Sequence, residues 1–279
     1  AFPEINEGDC IGAVVTINEY NDEFEGEIVS IKKLSSSETE NLKNRIKEIQ
    51  RKGAMPLTPQ FLVKSQILDK LRERFIKAAT EIRLAVLQNR PIIIRHHNDV
   101  DGYSAGFVLE RAILPLIEKQ HGGGKSAWEF FQRAPCQAPY YDIEDSIRDT
   151  ASSLRNEAKF SNKMPLVVIT DNGSTEQDLI GIQQGKVHGM DFIVIDHHPY
   201  ETDVISDEVL VHINPFLVGE EGAAYSAGML CAEIARFISD VKNIDQIPAM
   251  AGLADRIDLM NKHTIEAYVK IAESQGYTK

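Results

Sequence analysis

Three apolar runs in this chain stop abruptly at acid and histidine. IIIRHHNDVDG at residues 92–102, LVVITDNGS at 166–174 and FIVIDHHP at 192–199 each pass from β-branched or aliphatic residues straight into carboxylates and imidazoles. Such a run reads as a buried parallel strand, because a strand covered on both faces has no polar side with which to alternate. In an open α/β sheet the carboxyl ends of these strands face the ligand crevice. The pattern predicts a doubly wound, mainly parallel α/β sheet in which three strand ends converge on one place. They would bring His97, Asp99, Asp101, Asp171, Asp196, His197 and His198 together. Carboxylates mixed with imidazoles suit a pair of hard or borderline divalent cations better than they suit a thiolate-type zinc site.

Each string taken singly has a structural alternative. NDVDG and DNG are turn-forming sequences, since Asp, Asn and Gly dominate tight turns. An Asp followed by two His at the end of FIVI has no packing rationale, and three such strings in one chain favour a site over three turns.

Composition excludes several classes. The 279 residues can form a large domain with an appendage, and the three cysteines, Cys10, Cys136 and Cys231, include no CxxC pair, so neither a disulfide framework nor a structural zinc site is expected. No apolar stretch approaches the roughly 18 residues of a membrane span and no signal peptide is visible, so the expectation is a cytoplasmic protein with no membrane partner. A net charge of -12 runs against the basic face of most nucleic-acid binders. Part of that acidity lies in the strings themselves, where bound cations would reverse the local field. The basic clusters RIKEIQRK and KLRERFIK fit the solvated faces of amphipathic helices.

The organisation reads as four parts. Residues 1–35 hold two alternating apolar runs around NEYNDEFEG, a hairpin or the end of an OB- or S1-like module. Residues 36–89 read as a helical connector, with capping-box spacing at Ser37 and Glu40 and a second helix opening at Thr58-Pro59, its apolar face carried by Phe61, Leu68, Leu71, Phe75, Ala79 and Ile82. Residues 90–260 form the α/β domain, with a crossover helix from Ser104 to about Glu118, and 261–279 begin a further helix. The chain opens on Ala1 without an initiator Met and ends just after that helix, which reads as a piece of a longer protein.

HNDVDG, DNG and DHH, in that order and each after a strand, resemble motifs I to III of the DHH phosphoesterase superfamily, most closely its archaeal RecJ-type single-strand exonucleases. HINP at 212–215, GAAYSAGMLCAEIARFI at 222–238 and AGLADRID at 251–258 extend the likeness, the last resembling motif IV with Asp255. The resemblance implies two divalent ions, manganese preferred and magnesium possible, that hydrolyse phosphodiesters of single-stranded DNA, RNA or short oligonucleotides, and it admits replication or repair proteins as partners. It implies that Asp171 bridges the ions, that Asp99 with His97 holds one, and that Asp101, His197 and Asp255 hold the other. Asp196 would orient His197, and His198 would donate to a phosphate oxygen. One position departs: several relatives place a His four residues before the first motif Asp, and here Arg95 stands there, so His97 or His96 must serve instead. The usual C-terminal DHH-associated domain carries a GGGH-like string, and none follows Asp255.

Other readings remain open. A phosphoesterase for oligoribonucleotides or cyclic dinucleotides would share every motif, an inorganic pyrophosphatase would share the metal centre, and a replication-associated scaffold would not need an intact acid set. HGGGKS at 121–126 lacks the first glycine of a Walker loop. The aromatic stretch WEFFQRAPCQAPYY reads as an edge strand with core aromatics, or as a base-stacking surface with Arg133, Tyr140 and Tyr141 as the contacts.

Overall fold

The structure, a computed structural model, describes residues 5–20, 23–56, 59–123, 127–160, 163–277. The chain divides into two units, residues 1–53 and 54–279. In the first, β1 (Ile11–Tyr20) and β2 (Glu23–Lys33) pair as an antiparallel hairpin with an irregularity between Val14 and Val15, as their alternating pattern predicts. Helix α1 (Ser36–Ala54) follows. Its cap is Ser35 with Glu38, not Ser37 with Glu40: Ser35 N–H donates to the Glu38 carboxylate (2.9 Å) and Glu38 N–H to Ser35 Oγ (3.3 Å). Both serines have an acid three residues on, and Glu38 also pairs with Lys32 (2.9 Å), which anchors the earlier register.

The second unit runs α2 (Gln66–Leu87), β3 (Ile92–His96), α3 (Val100–His121), α4 (Ala127–Phe130), β4 (Phe131–Pro135), α5 (Ile143–Phe160), β5 (Leu166–Thr170), α6 (Glu176–Val187), β6 (Asp191–Ile195), β7 (Val211–Ile213), α7 (Ala227–Ile238), α8 (Ile247–Ala254), α9 (Ile257–Met260) and α10 (Lys262–Ser274). Helix α2 begins later than the sequence suggests. Thr58 lies outside the described residues, Ser65 caps Leu68 N–H, and Phe61 precedes the helix, packing on Phe75 and Phe237 at ring centroid distances of 5.5 and 5.4 Å. Helix α3 starts earlier than Ser104, because Asp99 Oδ1 accepts from Gly102 N–H (2.9 Å) and caps it. Part of HGGGKS, residues 124–126, lies outside the described residues.

Strands β3 to β7 form an all-parallel five-stranded sheet in the order β4-β3-β5-β6-β7. Period-two alternation gives each strand two apolar faces. Ile92, Ile94, Leu166, Val168, Ile193 and Ile195 pack with α2, α3 and α7, while Ile93, Val167, Ile169, Phe192 and Val194 pack with Tyr141 and Ile182 on the other side. This double cover is why the strands read as unbroken apolar runs. Among the described residues no helix is long and apolar enough to cross a membrane.

Candidate metal centre

From β3 the chain crosses outward to β4, then returns through α5 to β5 on the other side of β3, so the winding reverses between β3 and β5. A crevice opens at the carboxyl end of such a reversal. His97 and Asp99 leave β3 there, Asp171 follows β5 directly, and Asp196, His197 and His198 follow β6. Asp171 sits in the left-handed backbone region (φ 60°), its N–H held by Ile195 O at 3.0 Å. That conformation is uncommon outside glycine, although Asp tolerates it better than most, and it aims the carboxylate into the crevice.

Three groups of donor atoms converge: His97, Asp99 and Asp171; Asp101, His197 and Asp255; and Asp171, His197 and His198. The two oxygens of Asp171 face opposite ways. Oδ2 lies 3.6 Å from His97 Nδ1, which is itself 2.9 Å from Asp99 Oδ2. Oδ1 lies 3.4 Å from His197 Nε2, which is 3.6 Å from Asp255 Oδ2 and 4.0 Å from Asp101 Oδ2. Asp99 divides its labour, one oxygen capping α3 and the other facing His97.

Asp101 is buried and fastened from a distant segment. Its carboxylate accepts from Ser226 Oγ (2.6 Å) and from the backbone N–H groups of Ala227 (2.8 Å) and Gly228 (3.0 Å), the amino end of α7. Helix N-termini favour negative charge. Burial and the neighbouring Asp171 nevertheless outweigh these donors and hold its pKa well above the carboxylate range. Burial disfavours a charged His197, yet Asp171, Asp101 and Asp196 prevail and push its pKa up to about 10. The Asp171 pKa falls despite burial, because His197 and His97 face it. Concentrated negative charge thus draws positive charge into the crevice. Among the described residues Asp171 Oδ2 and His197 Nε2 are buried without a hydrogen-bond partner, an arrangement that is costly for polar groups unless a cation completes it. The donor set fits divalent metal.

Residues 91–254 match the model of the DHH family, N-terminal domain. The chain belongs to the DHH family. Members of that family are metal-dependent phosphoesterases. An uncharacterized protein of Methanocaldococcus jannaschii is 40% identical over 280 residues, covering 98% of this chain and 36% of that protein. The chain therefore spans about a third of the length of this curated relative. A solved DHH domain from a member of the s1p family of ribosomal proteins is 37% identical with a TM-score of 0.82, covering 88% of this chain and 57% of that one. The exonuclease RecJ bound to manganese shares the fold at 16% identity and a TM-score of 0.50, over 79% of this chain and 55% of that one.

Within the DHH domain the remaining expected residues fall in different places. His96 is buried and its Nδ1 lies 2.7 Å from His97 O, so of the two histidines only His97 reaches the donor groups. Arg95 turns into the opposite core, where Asp149 and Asp145 hold it. Asp196 serves His198 rather than the ring of His197: its Oδ1 meets His198 Nδ1 at 2.8 Å and accepts from His197 N–H at 2.8 Å. That hydrogen bond raises the His198 pKa. Arg133 is part-buried, with Nε bonded to Glu110 (2.5 Å). Tyr140 is half-buried in the loop after β4. Tyr141 offers no face to a base, because it is fully buried with its N–H bonded to Asp178 (2.7 Å) and its hydroxyl to Asp149 (3.2 Å).

Sequence reasoning missed Ser226 and the amino end of α7, which hold Asp101; Ser226 three residues before Met229 at the start of an apolar run was the available signal. It also missed two close approaches. A Cβ on Gly102 would lie 2.2 Å from His97 O, and one on Gly222 would lie 1.7 Å from His197 O, so each glycine lets backbone pass directly against a donor-bearing turn.

Proposed function

We propose that this DHH domain hydrolyses phosphodiester bonds of single-stranded nucleic acid from an end, using two divalent ions, manganese or magnesium. The observation that carries the reading is Asp171, whose two oxygens face two separate donor groups. His97, Asp99 and Asp171 would hold one ion, and Asp171, Asp101, His197 and Asp255 the other. A bound pair of divalent ions activates water and stabilises charge on the attacked phosphoryl group and on the leaving oxygen.

The protein's own contribution is positioning. The amino end of α7 fixes Asp101, the left-handed turn fixes Asp171, and the Asp196 hydrogen bond at Nδ1 leaves Nε2 of the half-exposed His198 to donate to a phosphate oxygen. The family assignment supports the reaction class, and the manganese-bound exonuclease of the same fold supports attack from an end and the choice of ion. A net charge of -12 favours a second reading, in which the substrates are only short oligonucleotides that need few phosphate contacts.

The test is hydrolysis of end-labelled single strands of increasing length and of duplex, with manganese. Stepwise mononucleotide release from long single strands, with duplex resistant and Asp171→Asn inactive, is the expected result. Cleavage confined to the shortest oligomers would overturn the exonuclease reading in favour of the second. Full activity of Asp171→Asn would overturn both.

A further inference from the structure

A second concavity shares Asp99 with the candidate metal centre. Val100, Tyr103 and Phe107 recur along α3 at a spacing that puts them on one side of the helix, and they remain 53%, 45% and 40% exposed. The other side of α3, with Ala105, Val108, Leu109 and Ala112, is wholly buried in the core. A helix so packed ordinarily carries charge on its outer face. Here the outer row is apolar, and with Met250 of α8 and Arg133 of β4 it lines an open groove of about 580 Å³. Exposed apolar patches of this kind mark binding surfaces.

The groove is also buttressed. The Tyr103 ring stands edge-on to His96, centroids 4.7 Å apart at 63°, and His96 is wholly buried. His96 Nδ1 donates to His97 O (2.7 Å), which leaves Nε2 as an acceptor toward Arg133 Nη1 at 3.4 Å. Glu110 holds the same guanidinium from the other side (2.5 Å). An aromatic ring and a cation are thereby held at fixed places beside the donor group of His97, Asp99 and Asp171.

We propose that this groove receives the base of the nucleotide whose phosphate lies at the metal centre, with Tyr103 and Phe107 as the stacking surface and Arg133 at the base's polar edge. The proposal rests on the phosphodiesterase reading and names the part of the substrate that the site recognises. The occupant follows from continuity: Asp99 lines both features, so the groove opens directly beside the donor groups where the phosphate would lie. A nucleotide joins a flat, weakly polar ring to an anion, and this surface joins an apolar groove to a cation-binding crevice. Stacking accepts every base, so the recognised class is nucleotides in general.

Isothermal titration with thymidine 5′-monophosphate and with deoxyribose 5-phosphate, in manganese, tests this without requiring hydrolysis. Base stacking predicts that the wild-type chain binds the nucleotide about tenfold more tightly than the sugar phosphate. Tyr103→Ala should remove that gap while leaving sugar phosphate affinity unchanged, and Tyr103→Phe should keep it. Equal wild-type affinity for the two probes, or equal weakening of both by Tyr103→Ala, would overturn the proposal. So would a groove occupied by a second copy of the chain, seen as a dimer that Tyr103→Ala dissociates and that shows no preference for the nucleotide. A base-dependent gap without hydrolysis of any single strand would uphold the groove and remove only the proposed reaction. Hydrolysis without the gap would do the reverse.

Discussion

Replacing Arg95 with methionine keeps the length of the side chain and removes its guanidinium from the side of the sheet opposite α3. Arg95 Nη2 and Nε bind the two oxygens of Asp149 at 2.5 and 3.0 Å, and Nη1 reaches Asp145 (3.2 Å) and Pro135 O (3.1 Å). Both carboxylates are at most 1% exposed, and without the guanidinium Asp149 keeps the Tyr141 hydroxyl (3.2 Å) while Asp145 keeps Gln137 N–H (2.9 Å) and the more distant Arg148 (3.4 Å), so Asp149 is the charge left without a counter-ion. Losing one partner of a buried pair costs about 3–5 kcal/mol. In a domain of this size that lowers Tm by about 10 °C. The loss should depend on pH. Burial already raises the Asp149 pKa above its ordinary value in spite of Arg95, and without Arg95 it rises further. An acid whose folded pKa is raised contributes stability at low pH that disappears as pH climbs through that pKa. The difference between variant and wild type should therefore be largest at pH about 8 and shrink toward pH about 4. Urea unfolding across this range measures it, and a second substitution, Asp149→Asn, should recover part of the loss at high pH. A variant within about 1 kcal/mol of wild type at neutral pH, or a deficit independent of pH, would refute the argument that Arg95 acts as a buried counter-charge.

Manganese should raise the Tm of the wild type through mass action, by about 2.7 kcal/mol of added stability at a hundredfold excess over Kd, and indifference to manganese and chelator alike would remove the metal assignment. His197→Ala should weaken manganese binding, whereas His198→Ala should lower turnover at saturating manganese; identical metal titrations of the two would show the roles to be misassigned. Burial pushes the Glu233 pKa up to about 7 against hydrogen bonds from Tyr268 and from Leu62 N–H. The folded state thus holds the extra proton, and roughly 3 kcal/mol of stability present below pH about 4.5 is lost as pH rises to about 7. Glu233→Gln should flatten that slope, and an unchanged slope would assign the pH dependence elsewhere. Gly102→Ala drives a methyl to 2.2 Å from His97 O and should cost about 1–3 kcal/mol together with manganese affinity; wild-type values for both would contradict the close packing of that turn.

The strand ends were legible because burial on both faces suppresses alternation, and a run such as Ile92, Ile93 and Ile94 fits the middle of a covered sheet and little else. The same uniformity conceals phase. Ile92 and Ile94 enter one core and Ile93 the other, and since all three are isoleucine nothing in the string says which side the next residue will take. Phase shows only where the strand leaves the sheet, and there it decides the chemistry. Consecutive side chains point oppositely, so Arg95 enters the core with Asp149, His96 turns toward α3 and Arg133, and His97 emerges at the crevice. One register determines which basic residue becomes a counter-charge, which a buttress and which a candidate ligand. Tyr140 and Tyr141 lie in the loop between β4 and α5, where no strand period orders the pair, and the second of them became core. Long-range partners were hidden for a different reason. Asp101 is held by Ser226, 125 positions away, and no local pattern around Asp101 encodes that N-terminus; it is set by α7 packing on α3 across the face that β3 shares. The chemistry of this site is therefore readable one strand at a time, while its assembly depends on strand phase and helix docking, so substitutions that shift either without touching a donor should disable metal binding as surely as loss of the donor itself.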